Sequence, residues 1–426
     1  MAQYYTDRSR AETYQECPRL RYLSYEYRGR GVVPETLSLA LTIGSSIHRG
    51  IADLLLGKDI EGVVGEVLED FVGLVRQRAL DLGTDEDQFD AAKEQAALLE
   101  ALLRGWAECR LPRLLTEYQV IDVEGEEECS LGGKDKSLIW MSRPDAVLRH
   151  RGTQELTIYS IKTCAQWDQR AADQHELDMQ GMSETYAVEQ RLGEPVTSVQ
   201  MDFLVKGRRD EFPRGSGRRR QASPLIRGWR QSFGAPMSDR YAWSYSWTSD
   251  DGTRHRLARN GGGAWQPYSP WHEGEMGLQA WFDLLRAGNV TPSTGENILE
   301  SQFVTPPPHY RIQEDIDEWL VSTQTQEARV KIGAAVVENA RKKGPKAFRL
   351  ALAEHFPKNA RACNFHYGGR CPFHKASHDV CWTGLNIHEQ DPVESGNFLW
   401  RVPHHTPELA QQNQAEPEPV TPPTEE

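Results

Sequence analysis

The chain has 426 residues, with 49 Lys plus Arg against 62 Asp plus Glu and a formal net charge of −13. That length exceeds the usual span of one hydrophobic core, so one large elaborated domain or two domains is expected. No stretch approaches the roughly 18 apolar residues of a membrane span, and residues 1–16 hold no apolar signal-peptide core, so a cytoplasmic protein without membrane contact is expected. Seven cysteines at distant positions fit free thiols, a metal site or a cluster in a reducing compartment better than a disulfide framework. The acidic balance argues against a simple basic nucleic-acid coat but says nothing of a local basic groove.

Residues 8–28 read as a helical segment, with Ser9 and Glu12 as a capping box and Arg28-Gly29-Arg30-Gly31 as its stop. Residues 36–56 follow with apolar positions at helical spacing from Ile43 to Leu56. Residues 60–118 are helical and acidic, broken near Gly83, and are expected to form an outer layer. The period then changes. Strands are expected from Tyr118 to Val123, from Ser137 to Leu148, from Leu156 to Thr163 and from Thr197 to Val205. A helix over about 173–192 separates the last two. Strands, helix and strand in this order predict an α/β core sheet inside a helical shell.

Residues 206–230 are basic and interrupted by Gly and Pro. A flexible charged insertion and a phosphate-contacting segment are both consistent with that composition. Arg208, Arg209, Arg218, Arg219 and Arg220 are its candidate nucleic-acid contacts, with Trp229 or Phe233 placed to stack on bases. Residues 313–356 return to helix, and the Pro-, Gln- and Glu-rich end is expected to be disordered.

The chemistry concentrates on two strands, which carry Pro144-Asp145 and Ser160-Ile161-Lys162. Alternation along a strand points Ser160 and Lys162 to one face. If the neighbouring strand brings Asp145 to that face, an acid and a lysine converge at one end of the sheet. Metal-dependent phosphodiester cleavage uses such a pair: carboxylates hold Mg²⁺ or Mn²⁺, and a lysine orients the attacking water or neutralises developing charge. A turn aspartate and a surface lysine would give the same short strings. Upstream stand Cys17-Pro18-Arg19 and Gly44-Ser-Ser-Ile-His48, downstream Gln180, and near the end Cys363, Cys371 and Cys381.

In that order, these motifs resemble the PD-(D/E)XK nucleases of the RecB type, in the branch that carries an iron–sulfur cluster. The resemblance spreads over residues 14–205 and 360–383. It implies a restriction-endonuclease-like α/β fold: a central mixed sheet flanked by helices, with a helical insertion and a C-terminal Cys-rich segment. It divides the chain into a nuclease-like core at 1–205, a basic and aromatic insertion at 206–312, helices and cysteines completing the core at 313–390, and a disordered tail at 391–426. It makes His48 and Asp145 metal ligands, Lys162 the catalytic lysine and Gln180 the helix glutamine beside the site. It implies an exonuclease acting on DNA ends or single strands in repair, recombination, phage or CRISPR-type processing. No G-x-x-x-x-G-K-[ST] occurs, so a helicase, or a recombination or CRISPR partner, would be a separate chain.

The sequence departs from the family at Ser160, where an acid is usual, and at Glu184, where tyrosine is usual. A serine supplies no negative charge to a hard cation. Either the site has decayed to a catalytically inactive DNA-binding or assembly protein, or the acid has migrated to the following helix, as in some S-x-K restriction enzymes of the superfamily. Glu176 has the spacing of that migration; Glu184 lies two turns later. Glu176, Gln180 and Glu184, at i, i+4 and i+8, share one helix face, and both glutamates stay candidates for metal binding.

For the cysteines, the resemblance implies a [4Fe–4S] cluster on Cys17, Cys363, Cys371 and Cys381 that staples the two ends of the domain. The competing reading is Zn²⁺, bound by the C-terminal cysteines with one of His366, His374 or His378, with Cys17 unused. Cys109, Cys129 and Cys164 lack partners at metal spacing.

Overall fold

The computed structural model describes residues 3–34, 39–82, 96, 99–100, 102–132, 136–164, 179–205, 244–248, 254–259, 265–267, 303–364, 371–374, 380–381, 391–394, 396, 398–403 and 405–415. In chain order the elements are β1 (Tyr4–Asp7), α1 (Arg8–Glu16), β2 (Val32–Pro34), α2 (Leu39–Leu55), α3 (Ile60–Leu82), α4 (Leu111–Glu117), β3 (Tyr118–Val123), β4 (Glu127–Ser130), β5 (Leu138–Ser142), β6 (Ala146–His150) and β7 (Leu156–Cys164). They continue with α5 (Met179–Leu192), β8 (Val196–Val205), a small antiparallel sheet β9 (Ser244–Thr248), β10 (Arg254–Arg259) and β11 (Trp265–Pro267), then β12 (Phe303–Val304), α6 (Gln313–Lys342), α7 (Pro345–His355), β13 (Phe398–Trp400) and α8 (Thr406–Ala415). This is the expected mixed α/β architecture. No described helix is long and apolar enough to cross a membrane.

The central sheet runs β12-β8-β7-β6-β3. β6 and β7 form an antiparallel pair, and β7 and β8 lie parallel, joined through α5. Alternation divides the strands between two cores. Ala146, Leu148, Tyr159 and Ile161 turn one way, onto Ile47 and Ile51 of α2, Val67 and Phe71 of α3, and Trp106. Val147, Leu156 and Ile158 turn the other way, onto Val188 of α5. The segment expected as an outer acidic layer therefore supplies one wall of the main core. Its described acids on α3 face solvent while Val63, Val67, Phe71, Leu99, Leu103 and Trp106 are buried at helical spacing. Gly50 lets this wall close, since a Cβ there would lie 2.7 Å from a Leu103 methyl.

The expected strand from Ser137 to Leu148 is two strands. Arg143 and Pro144 break it, because proline cannot donate to a ladder. β5 joins a second sheet, β1-β5-β4, and β6 enters the central one. Asp145 sits at this switch, at the mouth of both sheets. The α1 cap also differs from the capping-box expectation. Asp7 is the N-cap and accepts from the Arg10 N–H at 2.9 Å, while Glu12 turns to Arg8. The helical stretch expected over 313–356 is two helices: α6 ends at Lys342 and α7 starts at Pro345, across Gly344 at φ +108°.

Part of the tail expected to be disordered is structured. β13 pairs with β2. Glu408 of α8 accepts from Arg10 with both oxygens, at 2.6 and 2.7 Å. A polar segment needs no core of its own when a buried guanidinium and a strand edge receive it. Nearby, Arg21 donates to Glu327 of α6 at 2.9 Å, with both side chains fully buried, and to Glu26 at 2.9 Å. Glu327 also accepts from Thr6 at 2.8 Å. The N-terminal segment and α6 are thus joined through buried charge.

Removing one partner of a buried pair strands the other. Glu327→Ala is expected to lower unfolding free energy by about 3 kcal/mol in urea titration; a loss below about 1 kcal/mol would contradict the network's structural role.

Candidate active site

The second half of β7 carries Ser160, Ile161 and Lys162 beside the β5–β6 switch. Asp145 is buried there, and its Oδ2 accepts from the Ile161 N–H at 2.5 Å. Its Oδ1 lies 2.6 Å from Nδ1 of His48, which α2 brings from the helical wall. Glu124 follows β3 at φ +52°, and its N–H donates to the Asp145 carbonyl at 3.1 Å. One ligand atom each from His48, Glu124 and Asp145 lie within 4.8 Å of one another. Two carboxylates and an imidazole at that spacing suit a divalent cation. Among the described residues this is the one group of three so close.

Behind it, α5 supplies Gln180 and Glu184, both buried. Glu184 Oε2 accepts from Ser160 at 2.9 Å, and its Oε1 accepts from Gln180 Nε2 at 2.6 Å. The helix glutamate and the strand serine thus meet where a strand acid would sit. His48, Glu124, Asp145, Lys162, Gln180 and Glu184 line one open cleft of about 900 Å³, together with Arg8, Arg49 and Arg143.

Electrostatics divides the three carboxyls. Burial alone would raise Asp145, but His48, Lys162 and the Ile161 N–H outweigh it and hold its carboxyl below the usual range. Burial and then the Asp145 charge raise Glu124, opposed by Arg143, whose Nε lies 3.0 Å from its Oε2. Burial pushes Glu184 up to about 7, against the lowering charge of Lys162. The site gathers more buried negative charge than its own cations offset, a condition a metal ion relieves.

His48, Asp145, Lys162, Gln180 and Glu184 are thus brought together. Glu176 and the arginines Arg208, Arg209, Arg218, Arg219 and Arg220 lie outside the described residues, as do His366 and His378. Glu124 was not anticipated. Its only sequence signal is an acid before Gly125 where β3 ends.

A second candidate site is separate from the cleft. Cys17, Cys363, Cys371 and Cys381 line one pocket with Arg19, Leu20, Phe373 and His374. The Cys371 N–H donates to the Cys363 carbonyl at 2.9 Å, and the Cys381 N–H to that of Phe373 at 3.0 Å. Burial pushes the Cys371 thiol up to about 12 and that of Cys381 up to about 11. Cys109, Cys129 and Cys164 are unbridged and line neither this pocket nor the cleft.

Compared with known proteins, residues 8–233 match the family model described as the PD-(D/E)XK nuclease superfamily, just over half of the chain. No match to a curated protein was found.

Glu184 binds a proton more readily folded than unfolded. Its contribution to stability is present below the ordinary glutamate pKa and is lost as pH rises through about 7. In chelator-treated protein, the melting temperature of Glu184→Gln minus that of wild type is expected to increase from pH 5 to pH 8, by the equivalent of about 1–3 kcal/mol. A gap independent of pH would contradict the buried-carboxyl assignment.

Proposed function

The chain belongs to the PD-(D/E)XK nuclease superfamily, and from that premise we propose that it is an active Mg²⁺- or Mn²⁺-dependent deoxyribonuclease whose missing strand acid is replaced by Glu184. One observation carries the proposal: Ser160 and Gln180 both donate to Glu184, in the cleft that holds His48, Glu124, Asp145 and Lys162. His48, Asp145 and Glu124 would hold the cation, with Glu184 completing the set. When bound, the cation polarises the phosphate and lowers the pKa of water. Asp145 keeps its charge because His48, Lys162 and the Ile161 amide favour the ionised form. Lys162 would orient the attacking water and offset charge developing on the phosphate. Ser160 and Gln180 hold Glu184 in one orientation.

The substrate reading is DNA, entered from ends or as single strands, by an exonuclease. The fold family and the absence of a P-loop motif in this chain favour work beside a separate helicase, or a recombination or CRISPR partner. A reducing cytoplasm fits seven unbridged cysteines.

For the cysteine pocket we favour a [4Fe–4S] cluster over zinc. A single tetrahedral zinc with thiolates at about 2.3 Å needs sulfurs within about 3.8 Å of each other. Yet no three of these cysteines have sulfurs within 4.8 Å of one another. A cluster carries its thiolates on separate irons and accepts a wider set. Arg19 supports an anionic occupant. It is buried, donates to the Phe356 and Leu352 carbonyls at 2.8 and 3.2 Å, and is opposed in its burial by Cys381 and Cys17. Protein purified without air is expected to be coloured and to hold about four irons per chain; zinc without iron would overturn the cluster.

Lys162→Ala and Asp145→Ala are expected to abolish Mn²⁺-dependent DNA cleavage, with circular dichroism checking that each variant is still folded. Glu184→Ala is expected to slow cleavage at least about 100-fold, the upper end of what a lost outer-shell partner costs. Adding Ser160→Asp should recover part of that rate. Wild-type protein that binds DNA without cutting it would favour a catalytically inactive binding protein; unimpaired Glu184→Ala would refute migration of the acid.

A further inference from the structure

Arg8 opens α1, one residue after its N-cap, and lines the cleft. The other cationic side chains there have different tasks: Arg143 faces Glu124 at 3.0 Å, Arg49 pairs with Asp70, and Lys162 stands beside Asp145. Arg8 instead donates through Nη1 to the side-chain oxygen of Gln180. Its Nε is held from behind by Glu12, one turn along, at 2.7 Å.

This contact decides which way the Gln180 amide points. With Oε1 turned to a guanidinium, Nε2 must face Glu184, to which it donates at 2.6 Å, and Ser160, at 3.3 Å. A flipped amide would set oxygen against a carboxylate oxygen and nitrogen against a cation. Both orientations are sterically equivalent, so hydrogen bonding alone selects between them. Glu184 receives one donor on each oxygen, which fixes the carboxylate plane and leaves a lone pair on each oxygen free. The chain Glu12–Arg8–Gln180–Glu184–Ser160 thus crosses from α1 through α5 to β7.

We propose that Arg8 is a positioning residue that fixes the Gln180 amide, and through it the Glu184 carboxylate, for binding the divalent cation. This rests on the metal-dependent reading above. Outer-shell partners that orient a ligand are typically worth 10–100-fold in metal affinity. Because Arg8 acts through Gln180, its loss and the loss of Gln180 are not additive.

The test titrates full-length protein with Mn²⁺ alone, without DNA, and reads free Mn²⁺ by electron paramagnetic resonance. Circular dichroism checks that each variant is folded. Arg8→Ala is expected to weaken Mn²⁺ binding about 10-fold. Gln180→Ala should weaken it at least as much, and the double variant no further than Gln180→Ala. At saturating Mn²⁺, the KM for DNA of Arg8→Ala should stay at the wild-type value. Wild-type Mn²⁺ affinity in Arg8→Ala would overturn the proposal, as would losses that add in the double variant or a raised KM for DNA, which would make Arg8 a phosphate contact. Asp145→Ala separates the two levels of argument. If it leaves Mn²⁺ binding intact, the metal-site reading fails and the role of Arg8 with it. If it abolishes binding and Arg8→Ala does not weaken it, only the role of Arg8 fails.

Discussion

A carboxylate taken out of water at the end of a β-strand needs compensation, and the cleft is organised around how Asp145 finds it. The Ile161 amide, the His48 imidazole and the Lys162 ammonium each come from a different direction. Those three demands fix the relative placement of β6, β7 and α2. Pro144 makes the arrangement possible by ending one strand and starting another in a different sheet. The residue that follows the break faces the junction of both sheets. Around it, the half-buried Glu124 and the buried Glu184 have less compensation, and their carboxyls rise accordingly. Raised carboxyls beside an ionised one mark negative charge that the site's own cations do not fully offset, which a divalent cation relieves.

The rest of the molecule keeps this junction in place. Helices α2 and α3 with residues 102–109 cover one face of the central sheet, and α5 covers the other. The two ends of the chain also meet. Buried ion pairs join the N-terminal segment to α6 and α8, and four cysteines from both ends line one pocket. The N-terminal segment serves both regions. Cys17 lies in the pocket, while Arg8, nine residues earlier, reaches Gln180 in the cleft. Order at the cysteine pocket therefore bears on the position of α1 and on what α1 presents to the cleft.

Much of this was legible in the sequence because it is local. Asp145 beside a proline, Lys162 two residues after Ser160, and Gln180 one helical turn before Glu184 are spacings that a strand and a helix enforce. What stayed hidden depends on long-range pairing. Glu124 enters the site through a left-handed turn residue and a backbone bond to Asp145, neither of which has a motif. The wall formed by α3 looked peripheral because its acids dominate the composition, while its buried face reads only at helical period. The tail has little apolar content, and its described strand and helix are held instead by the edge of β2 and by Arg10. Asp7 rather than Ser9 caps α1; both residue types cap well, so residue type alone does not separate them.

The central claim is that His48, Glu124 and Asp145 form the divalent-cation site. Anomalous diffraction from crystals soaked in Mn²⁺ tests it most directly. The account predicts a peak within coordinating distance of the Asp145 carboxylate and the His48 ring. An empty cleft, or a peak bound elsewhere with this group unoccupied, would contradict it.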